Sequence, residues 1–347
     1  MSKIWIIGDT HFGVRNNSKR WEELMSSWMH DFFFPLIDKE SEEGDVLVHL
    51  GDVFDNRQSV GLSTMALTIS FFEKLSSRFE EIWVLCGNHD AYYTSKNDIS
   101  SIECIKHIEN VNIVKTPIFH PFLCNKKVLF MPWTENSEAF NKKIYDVNPD
   151  IVFCHAEFNG CVMNSSMTFS ENNFNIPNIS HIYSGHIHHR QKHKNVTYVG
   201  SPYQLTQNDR NNHKGVYTYD TEKDIEKFYQ NNTSPEFIRI KYDDIKDKPL
   251  QEFKKICENK FVEVETDYSL MAKCRFQKLL SLIKEEDNIM DLTFVPSKTS
   301  KNEEKDINIS DCISISEMLD KYIDEFVYCD ELTKKSVKII SKKLVNG

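Results

Sequence analysis

The sequence predicts an α/β fold: a β-sandwich flanked by helices, followed by a small α+β domain and a helical tail. Three observations predict it. Short apolar runs end in polar clusters, the segments between the early runs have a 3.6-residue apolar period, and residues 215–242 alternate as hairpin strands do. The chain has 347 residues, 40% hydrophobic and 27% charged, which is a globular composition.

The apolar runs are predicted to be buried strands, each with a loop at its carboxyl end: Lys3–Ile7, Asp45–Leu50, Ile82–Cys86, Val128–Met131, Ile151–Cys154, His181–Tyr183 and Val196–Val199. Helices are predicted at two segments with helical apolar spacing, from Leu62 to Leu75 and at Trp21, Leu24, Met25, Trp28 and Phe32. Because strands and helices alternate, we expect a layered α/β arrangement. The alternation from Gly215 to Tyr242 predicts hairpins that close the sheet.

Composition changes along the chain predict four parts. The first domain is expected to cover residues 1–232 and to end at the turn-prone segment Asn231 to Pro235. Residues 233–296 are expected to form the small α+β unit, with a helix from Leu270 to Ile283, and the polar residues 297–310 a linker. In the tail, 311–347, an apolar stripe that begins at Ile315 predicts a helix.

The formal net charge is −10, so the surface as a whole is expected to repel nucleic acid and anionic membranes. Affinity for DNA must then be local. Between Gly185 and Lys214 the basic residues exceed the acidic ones by four, and this patch is predicted to hold a DNA backbone unless it is only a solvated loop. No apolar run approaches the ~20 residues of a membrane span, and no secretory signal is visible, so a cytoplasmic protein is expected.

Polar clusters with metal-ligand side chains follow five of the predicted strands. Parallel strand ends meet at one edge of a sheet, which is where ligand sites form in α/β folds. Imidazole, carboxylate and amide groups suit divalent ions that handle phosphate oxygens. A single cluster of this kind is usually solvated or capping, but five in order predict a metal site: Gly8-Asp9-Thr10-His11, Gly51-Asp52, Gly87-Asn88-His89-Asp90, His155 and Gly185-His186-Ile187-His188.

This order of motifs resembles that of the calcineurin-like metallophosphoesterases. Leu50-Gly51-Asp52-Val53-Phe54-Asp55 resembles the GDxFD motif of SbcD-type nucleases within that superfamily. Cys154-His155-Ala156-Glu157-Phe158-Asn159-Gly160 resembles the H-x-E-x-N-G segment of the nuclease subunits of T-even-type phage recombination endonucleases. The resemblance covers about residues 3–242 and rests on layout alone beyond them.

The resemblance implies a site with two divalent ions, manganese first and magnesium next. One ion would be held by Asp9, His11, Asp52 and His188, and the other by Asp52, Asn88, His155 and His186, with Asp52 shared. His89 would be catalytic, serving the transition state or protonating the leaving 3′ oxygen; a structural histidine is the alternative. Asp90 is expected to orient an imidazole or to cap the next helix. Asp55 stands where archaeal and eukaryotic relatives have a histidine, so that residue's role does not carry over.

The implied function is metal-dependent phosphodiester hydrolysis on DNA, as a double-strand-end exonuclease and a single-strand endonuclease, in recombination, repair and replication. The partner would be an SbcC-type ATPase, bound by the tail. A homodimer is expected through helices at Leu62–Leu75 and Ile99–Ile108, although these could equally be core helices. The alternatives are a phosphoesterase on small phosphodiesters or phosphoproteins, and a DNA-end-tethering subunit that uses the site weakly.

Overall fold

A computed structural model of the chain describes residues 2–164, 167–168, 174–266, 289–296, 323 and 334–339. The chain divides into two compact units, Met1–Glu236 and Phe237–Gly347. The predicted helix from Leu270 to Ile283, the linker 297–310 and most of the tail 311–347 lie outside the described residues. Within the tail, residues 323 and 334–339 are helical.

The strands lie close to the bounds that the apolar runs predict. In chain order they are β1 (Lys3–Ile7), β2 (Val46–His49), β3 (Glu81–Leu85), β4 (Ala91–Tyr93), β5 (Lys96–Ser100), β6 (Val111–Val114), β7 (Ile118–Leu123), β8 (Lys126–Met131), β9 (Ile151–His155), β10 (Val162–Asn164), β11 (Met167–Thr168), β12 (His181–Gly185), β13 (Gln191–His193), β14 (Val196–Tyr198), β15 (Gly215–Asp220), β16 (Ile225–Gln230), β17 (Glu236–Lys241), β18 (Lys260–Thr266) and β19 (Asp291–Pro296).

The α-helices are α1 (Val14–Asn17), α2 (Lys19–Ser27), α3 (Phe34–Glu40), α4 (Leu62–Ser76), α5 (Ser137–Val147) and α6 (Leu250–Cys257). A π-helical segment, Trp28–Phe33, joins α2 to α3. This wider turn shifts the apolar phase by one residue, so Phe33 is buried while the predicted Phe32 is only half-buried. In the described part of the chain, no helix combines the length and the apolar character that crossing a membrane requires.

Two six-stranded sheets form the first unit, and the predicted α/β sandwich is confirmed. One sheet has the order β16-β15-β1-β2-β3-β6, and the other has the order β13-β14-β12-β9-β8-β7. β1, β2, β3 and β6 are parallel, as are β8, β9, β12 and β14. A shared core between the sheets contains Ile6 and Val48 from the first and Phe130, Phe153 and Tyr183 from the second. The sandwich therefore fixes how the strand ends of both sheets meet.

Two predictions about elements are wrong. β15 and β16 do close the first sheet, but β17 pairs in a separate three-stranded sheet with β18 and β19 instead. The segment Ile99–Ile108 is not a dimer helix, because residues 96–100 form β5 and Ser101–Ile105 is a short 3₁₀ helix. The three-stranded sheet and α6 enclose a core of their own in the second unit, with Val262, Val264 and Leu292 at its centre.

Candidate metal centre

The predicted ligands lie at the carboxyl ends of the parallel strands. Asp9 and His11 follow β1, Asp52 follows β2 and Asn88 follows β3, all in the first sheet. In the second sheet His155 ends β9, while His186 and His188 follow β12. Because β1, β2 and β3 run parallel, as β9 and β12 do, each sheet carries its polar side chains at one edge.

Four of these residues hold their backbone in the left-handed region: φ is 53° at Asp9, 47° at His11, 51° at Asp52 and 79° at His186. Backbone hydrogen bonds secure the turns, from Asp9 N to Gly51 O at 3.0 Å and from His11 N to Asp52 O at 3.1 Å. Such conformations cost about 1–3 kcal/mol each and persist only where the surroundings enforce them. The strand ends are therefore bent to aim these side chains at one place.

Close backbone approach explains the glycine at position 87. A Cβ built at Gly87 would lie 2.2 Å from Asp52 Oδ1 and 2.3 Å from Asp52 N. No side chain fits there, because both atoms belong to the turn that presents the Asp52 carboxylate. Gly51, with a φ of 100°, completes that turn.

The first predicted ligand group surrounds His11. Its Nε2 lies 2.9 Å from His188 Nε2 and 3.6 Å from Asp52 Oδ2. Asp9 turns one carboxylate oxygen to the backbone N–H of His186, at 2.8 Å, while its Oδ2 is buried with no hydrogen-bond partner among the described residues. Metal-ligating atoms of Asp9, His11 and His188 all lie within 4.8 Å of one another.

The second predicted group meets the first at Asp52. Asp52 Oδ2 lies 3.4 Å from His155 Nε2, so this one oxygen faces histidines of both groups. Asn88 Oδ1 lies 3.0 Å from His155 Nε2 and 2.8 Å from His186 Nδ1. A hydrogen bond with the carbonyl oxygen of Leu50, 2.8 Å from His155 Nδ1, leaves Nε2 of that ring facing the group.

These residues fit a pair of divalent cations. Asp9 Oδ2 is a buried carboxylate oxygen without a partner, which is costly unless a cation or donor satisfies it. The facing Nε2 atoms of His11 and His188 present two lone pairs to each other unless a proton or an ion lies between them. Mixed imidazole, amide and carboxylate donors suit hard or borderline divalent ions more than soft ions such as Cu⁺, which prefer thiolates. That these seven residues bind ions remains a prediction.

Comparison with known families decides the class of the site. Residues 2–190, more than half of the chain, match the family model of the calcineurin-like phosphoesterases. The chain belongs to this family. The assignment confirms the predicted superfamily and makes the protein a phosphoesterase of a family that uses divalent metals, with the side chains to hold them.

Among curated proteins, the phosphoesterase is similar to Exonuclease subunit 1 of Enterobacteria phage T4. The two are 26% identical over 238 residues, which cover 67% of this chain and 68% of the phage protein. This similarity supports the resemblance to SbcD-like nucleases.

Two solved structures also match parts of the phosphoesterase. One, described as a novel archaeal phosphodiesterase, is 16% identical, covers 66% of this chain and 99% of its own, and has a TM-score of 0.36. The other, a protein of unknown function from Aquifex aeolicus, is 19% identical, covers 45% and 81% of the respective chains, and has a TM-score of 0.26. At TM-scores this low, neither adds to the family assignment.

Buried charges interact strongly in the phosphoesterase site. Burial alone would lower the pKa of His155, but the attraction and hydrogen bond of Asp52 raise that pKa to about 9. Burial raises the pKa of Asp9, and the nearby Asp52 adds to the rise, although His155 opposes it. Burial and the adjacent His11 lower the pKa of His188. Bound cations would favour deprotonated carboxylates and neutral imidazoles throughout this group.

His89 lies beside the ligand groups, and one of its two ring nitrogens is held by a hydrogen bond. Its Nδ1 is 2.6 Å from the carbonyl oxygen of Asp55, so Nδ1 carries a proton and donates it there. Its backbone N–H donates to Asp52 Oδ1 at 2.8 Å, and its ring meets that of His11 edge to face at 4.9 Å. Nε2 is therefore the ring nitrogen that makes no hydrogen bond to the described residues, and His89 also forms a possible ligand group with His11 and Asp55.

Three residues around the site have contacts that the sequence analysis missed. Asp55 Oδ1 lies 3.2 Å from His11 Nδ1, Glu157 Oε1 lies 2.6 Å from His186 Nε2, and Trp133 stacks on the His186 ring at 5.0 Å. Glu157 follows His155 by two residues, and this spacing was the available signal that both side chains share a side of the extended chain. Nothing comparable in the sequence marks Trp133.

Asp90 neither caps a helix nor contacts an imidazole, contrary to prediction. Its carboxylate accepts backbone N–H groups of Phe54 at 3.0 Å and Gly87 at 2.9 Å, and the chain continues into the β4–β5 hairpin. Burial and the charge of Asp52 raise the pKa of Asp90 to about 6. Asp90 thus fixes the two loops that carry Asp52 and Asn88.

The structure shows the contacts of each member of the predicted basic patch. Lys214 is buried and pairs with Asp209 at 2.6 Å, so its charge does not reach the surface. Arg190 packs over the Phe228 ring at 4.3 Å, and Lys192 pairs with Glu226 at 3.0 Å. The remaining members of the predicted patch are Lys194 and Arg210, of which Lys194 is exposed. Because Lys214 and Asp209 cancel each other, the excess of four positive charges lies on Arg190, Lys192, Lys194 and Arg210. That this patch holds a DNA backbone stays a prediction.

Proposed function

We propose that this phosphoesterase is a metal-dependent DNA nuclease, an exonuclease at double-strand ends and an endonuclease on single strands. One observation carries the proposal: two ligand groups converge on a single Asp52 oxygen, with the His89 ring beside them and held through its Nδ1. This arrangement suits a phosphodiester, whose hydrolysis needs both an activated water and a stabilised leaving oxygen. The similarity to a phage exonuclease subunit supports DNA as the substrate.

Two divalent ions, with manganese favoured over magnesium, would be held by the seven residues in two overlapping sets. Asp9, His11, Asp52 and His188 would bind the first ion, and Asp52, Asn88, His155 and His186 the second. When bound, the ions supply Lewis-acid activation of water and neutralise phosphate charge. Asp52 keeps the two sets in one fixed relation, because its Oδ2 faces both and its Oδ1 is held by the His89 backbone.

His89 is proposed to act on the substrate rather than on a metal. The hydrogen bond with the Asp55 carbonyl fixes the tautomer of His89, whose ring lies against that of His11. From there Nε2 can stabilise a phosphorane-like transition state or, when protonated, donate a proton to the leaving 3′ oxygen. General acid catalysis of this kind contributes about 10²- to 10⁴-fold in rate.

The proposal includes partners and a setting. The relative in phage T4 is named a subunit, which supports an assembly with an SbcC-type ATPase. We place the ATPase contact in the tail, 311–347. We place a homodimer contact on α4, whose Leu62 is 85% exposed. The activity would serve DNA recombination, repair and replication in the host cytoplasm. A small phosphodiester or a phosphoprotein is the second candidate substrate, because the same site would serve it.

The test is Mn²⁺-dependent cleavage of an end-labelled DNA duplex by the purified full chain, with bis-p-nitrophenyl phosphate as a small diester. We expect duplex degradation that falls by about 10²- to 10⁴-fold in His89→Ala. The matched control is His107→Ala, which removes an exposed histidine outside the ligand groups. Hydrolysis of the small diester with intact DNA, even after the ATPase partner is added, would favour the second candidate.

A further inference from the structure

Glu157 lies behind His186, on the side of the imidazole that faces away from the ligand group. His186 Nδ1 points into the group, 2.8 Å from Asn88 Oδ1 and 3.3 Å from His155 Nε2. Its Nε2 points the opposite way and lies 2.6 Å from Glu157 Oε1. The hydrogen bond from the His186 side chain also holds the pKa of Glu157 below its usual range.

We propose that Glu157 is a positioning residue that acts through His186 on the second ion of the site, an inference that rests on the two-ion site proposed above. A carboxylate that accepts the Nε2–H selects the tautomer with a free lone pair on Nδ1 and makes that nitrogen a stronger donor. The charge of Glu157 therefore reaches the second ion through the ring, without Glu157 being a ligand.

The geometry argues against two other roles for Glu157. It does not join the ligand group directly, because its contact with His186 is on the ring nitrogen that faces away from Asn88 and His155. It is not a loose surface ion pair either, since its side chain is 24% exposed and that of His186 is 12% exposed. A pair this enclosed and this short keeps its orientation.

The backbone on both sides of Glu157 is clamped. The buried hydroxyl of Tyr198 donates to Ala156 O at 3.0 Å and accepts from Phe158 N at 2.9 Å, so it bridges the two residues that flank Glu157. Glu157 O itself accepts from Phe174 N at 3.0 Å. This anchoring fixes where the carboxylate lies before any metal binds.

Trp133 completes the support of the His186 ring. The two rings stack at 5.0 Å with an interplanar angle of 23°. The indole Nε1–H donates to Thr94 O at 3.3 Å, and the backbone carbonyl of Trp133 accepts from the Asn97 side chain at 2.8 Å. The Trp133 ring on the face of the imidazole and the Glu157 carboxylate at its edge together define the position of His186 Nδ1.

The test measures Mn²⁺ binding by the full chain, using calorimetry for affinity and electron paramagnetic resonance for coupling between two bound ions. Wild type should bind two Mn²⁺ with a spin-coupled signal. Glu157→Ala should weaken one of the two by about 10- to 100-fold, the usual effect of removing a carboxylate behind a ligating histidine. Glu157→Gln should lie between them, because its amide oxygen still accepts the Nε2–H without the charge.

A double-mutant cycle tests whether the effect passes through His186. In a His188→Ala background, which impairs the first ion, Glu157→Ala should still weaken the remaining ion by about 10- to 100-fold. In a His186→Ala background it should have no further effect. An equal loss in both backgrounds, or unchanged Mn²⁺ binding in Glu157→Ala itself, would overturn the proposal.

Two controls keep the result interpretable. Glu222→Ala removes an exposed glutamate outside the ligand groups and should bind Mn²⁺ as wild type does. The unfolding temperature of metal-free Glu157→Ala should stay near that of wild type, which separates positioning from misfolding. If the wild type binds two Mn²⁺ yet leaves DNA intact even with the ATPase partner present, the nuclease proposal fails, while Mn²⁺ binding by the Glu157 variants still decides this inference. If it binds fewer than two, the inference fails.

Discussion

At the scale of single residues, His49 is a histidine that the fold keeps neutral. It is fully buried, and its Nδ1 accepts the Gly51 N–H at 3.3 Å. Its Nε2 lies 3.1 Å from the Thr10 hydroxyl, which donates its own proton to Val53 O, so Nε2 carries the hydrogen. Neither nitrogen can take a further proton without breaking this chain, and burial lowers the pKa of His49 to about 3.

The depressed pKa of His49 predicts acid sensitivity. Above pH 6.5, its ordinary value, the side chain is neutral in both states and does not oppose folding. As the pH falls from 6.5 toward 3, only the unfolded chain takes up this proton, so the free energy of unfolding decreases. We expect this one group to remove about 2 kcal/mol between pH 7 and pH 5.

The measurement is urea unfolding of the metal-free protein at both pH values, for wild type and for His49→Gln. The variant loses the titrating group, so its free energy of unfolding should change with pH by about 2 kcal/mol less than that of wild type. His107→Ala, which lacks an exposed histidine instead, should keep the wild-type dependence. Equal pH dependences in wild type and His49→Gln would contradict the assignment.

The positions of the predicted ligands were available from sequence, but their conformations were not. Side chains two residues apart after a strand, such as Asp9 and His11, can be predicted to lie on one side because strand geometry is local. The left-handed φ at both residues is imposed by hydrogen bonds from their N–H groups to Gly51 and Asp52, over 40 residues away. The contact from Glu157 to His186 is also non-local, so the motif around Glu157 does not reveal its partner.

At the scale of elements, the loop between β14 and β15 depends on a buried ion pair. Lys214 donates to Asp209 Oδ1 at 2.6 Å and to the carbonyl oxygen of His188. The second Asp209 oxygen accepts the backbone N–H groups of Leu205 at 3.0 Å and Thr206 at 2.9 Å. The pair therefore ties this loop to the backbone of a predicted metal ligand.

Asp209→Asn should be strongly destabilising, because it leaves the Lys214 ammonium buried without its counter-ion. Removing one partner of a buried pair costs about 3–5 kcal/mol. The matched control is Asp38→Asn, which breaks the exposed pair of Asp38 with Arg78 and should cost no more than about 1 kcal/mol. Chemical unfolding of the two variants measures the difference. A loss in Asp209→Asn no larger than in the control would show that Lys214 finds another partner.

Helices with a regular apolar period, such as α4, were predictable from sequence, but the helix expected over Ile99–Ile108 was not formed. The resemblance implies a dimer helix over Ile99–Ile108, where the isoleucines at 99, 102, 105 and 108 repeat every three residues. A spacing of three suits the 3.0-residue turn of a 3₁₀ helix, and Ser101–Ile105 forms one, burying Ile102 and Ile105. Ile99 belongs instead to β5 and is 54% exposed. The strand that pairs with β5, and so places Ile99 in a hairpin, cannot be inferred from local spacing.

At the scale of the whole molecule, the order of the strands predicted the position of the site, whereas counting charges did not predict which charged side chains are exposed. The order of strands along the chain was enough to predict one edge where the polar clusters meet, since parallel strands end together. The net charge of a segment does not show which lysine is buried, and Lys214 is only 3% exposed. Likewise, alternation predicted β17 as a strand, but its placement in a different sheet depends on partners beyond residue 260.

The division into two units predicts that residues 1–236 suffice for the metal centre. This part contains both six-stranded sheets, the core between them and all seven predicted ligands. A chain that ends at residue 236 should unfold cooperatively, bind two Mn²⁺ and hydrolyse bis-p-nitrophenyl phosphate at a kcat/KM close to that of the full chain.

If the second unit serves DNA, cleavage of an end-labelled duplex by this shortened chain should fall while hydrolysis of the small diester persists. The full chain and its His89→Ala variant provide the upper and lower references for both substrates. Loss of Mn²⁺ binding in the shortened chain would show instead that the second unit is needed to form the site.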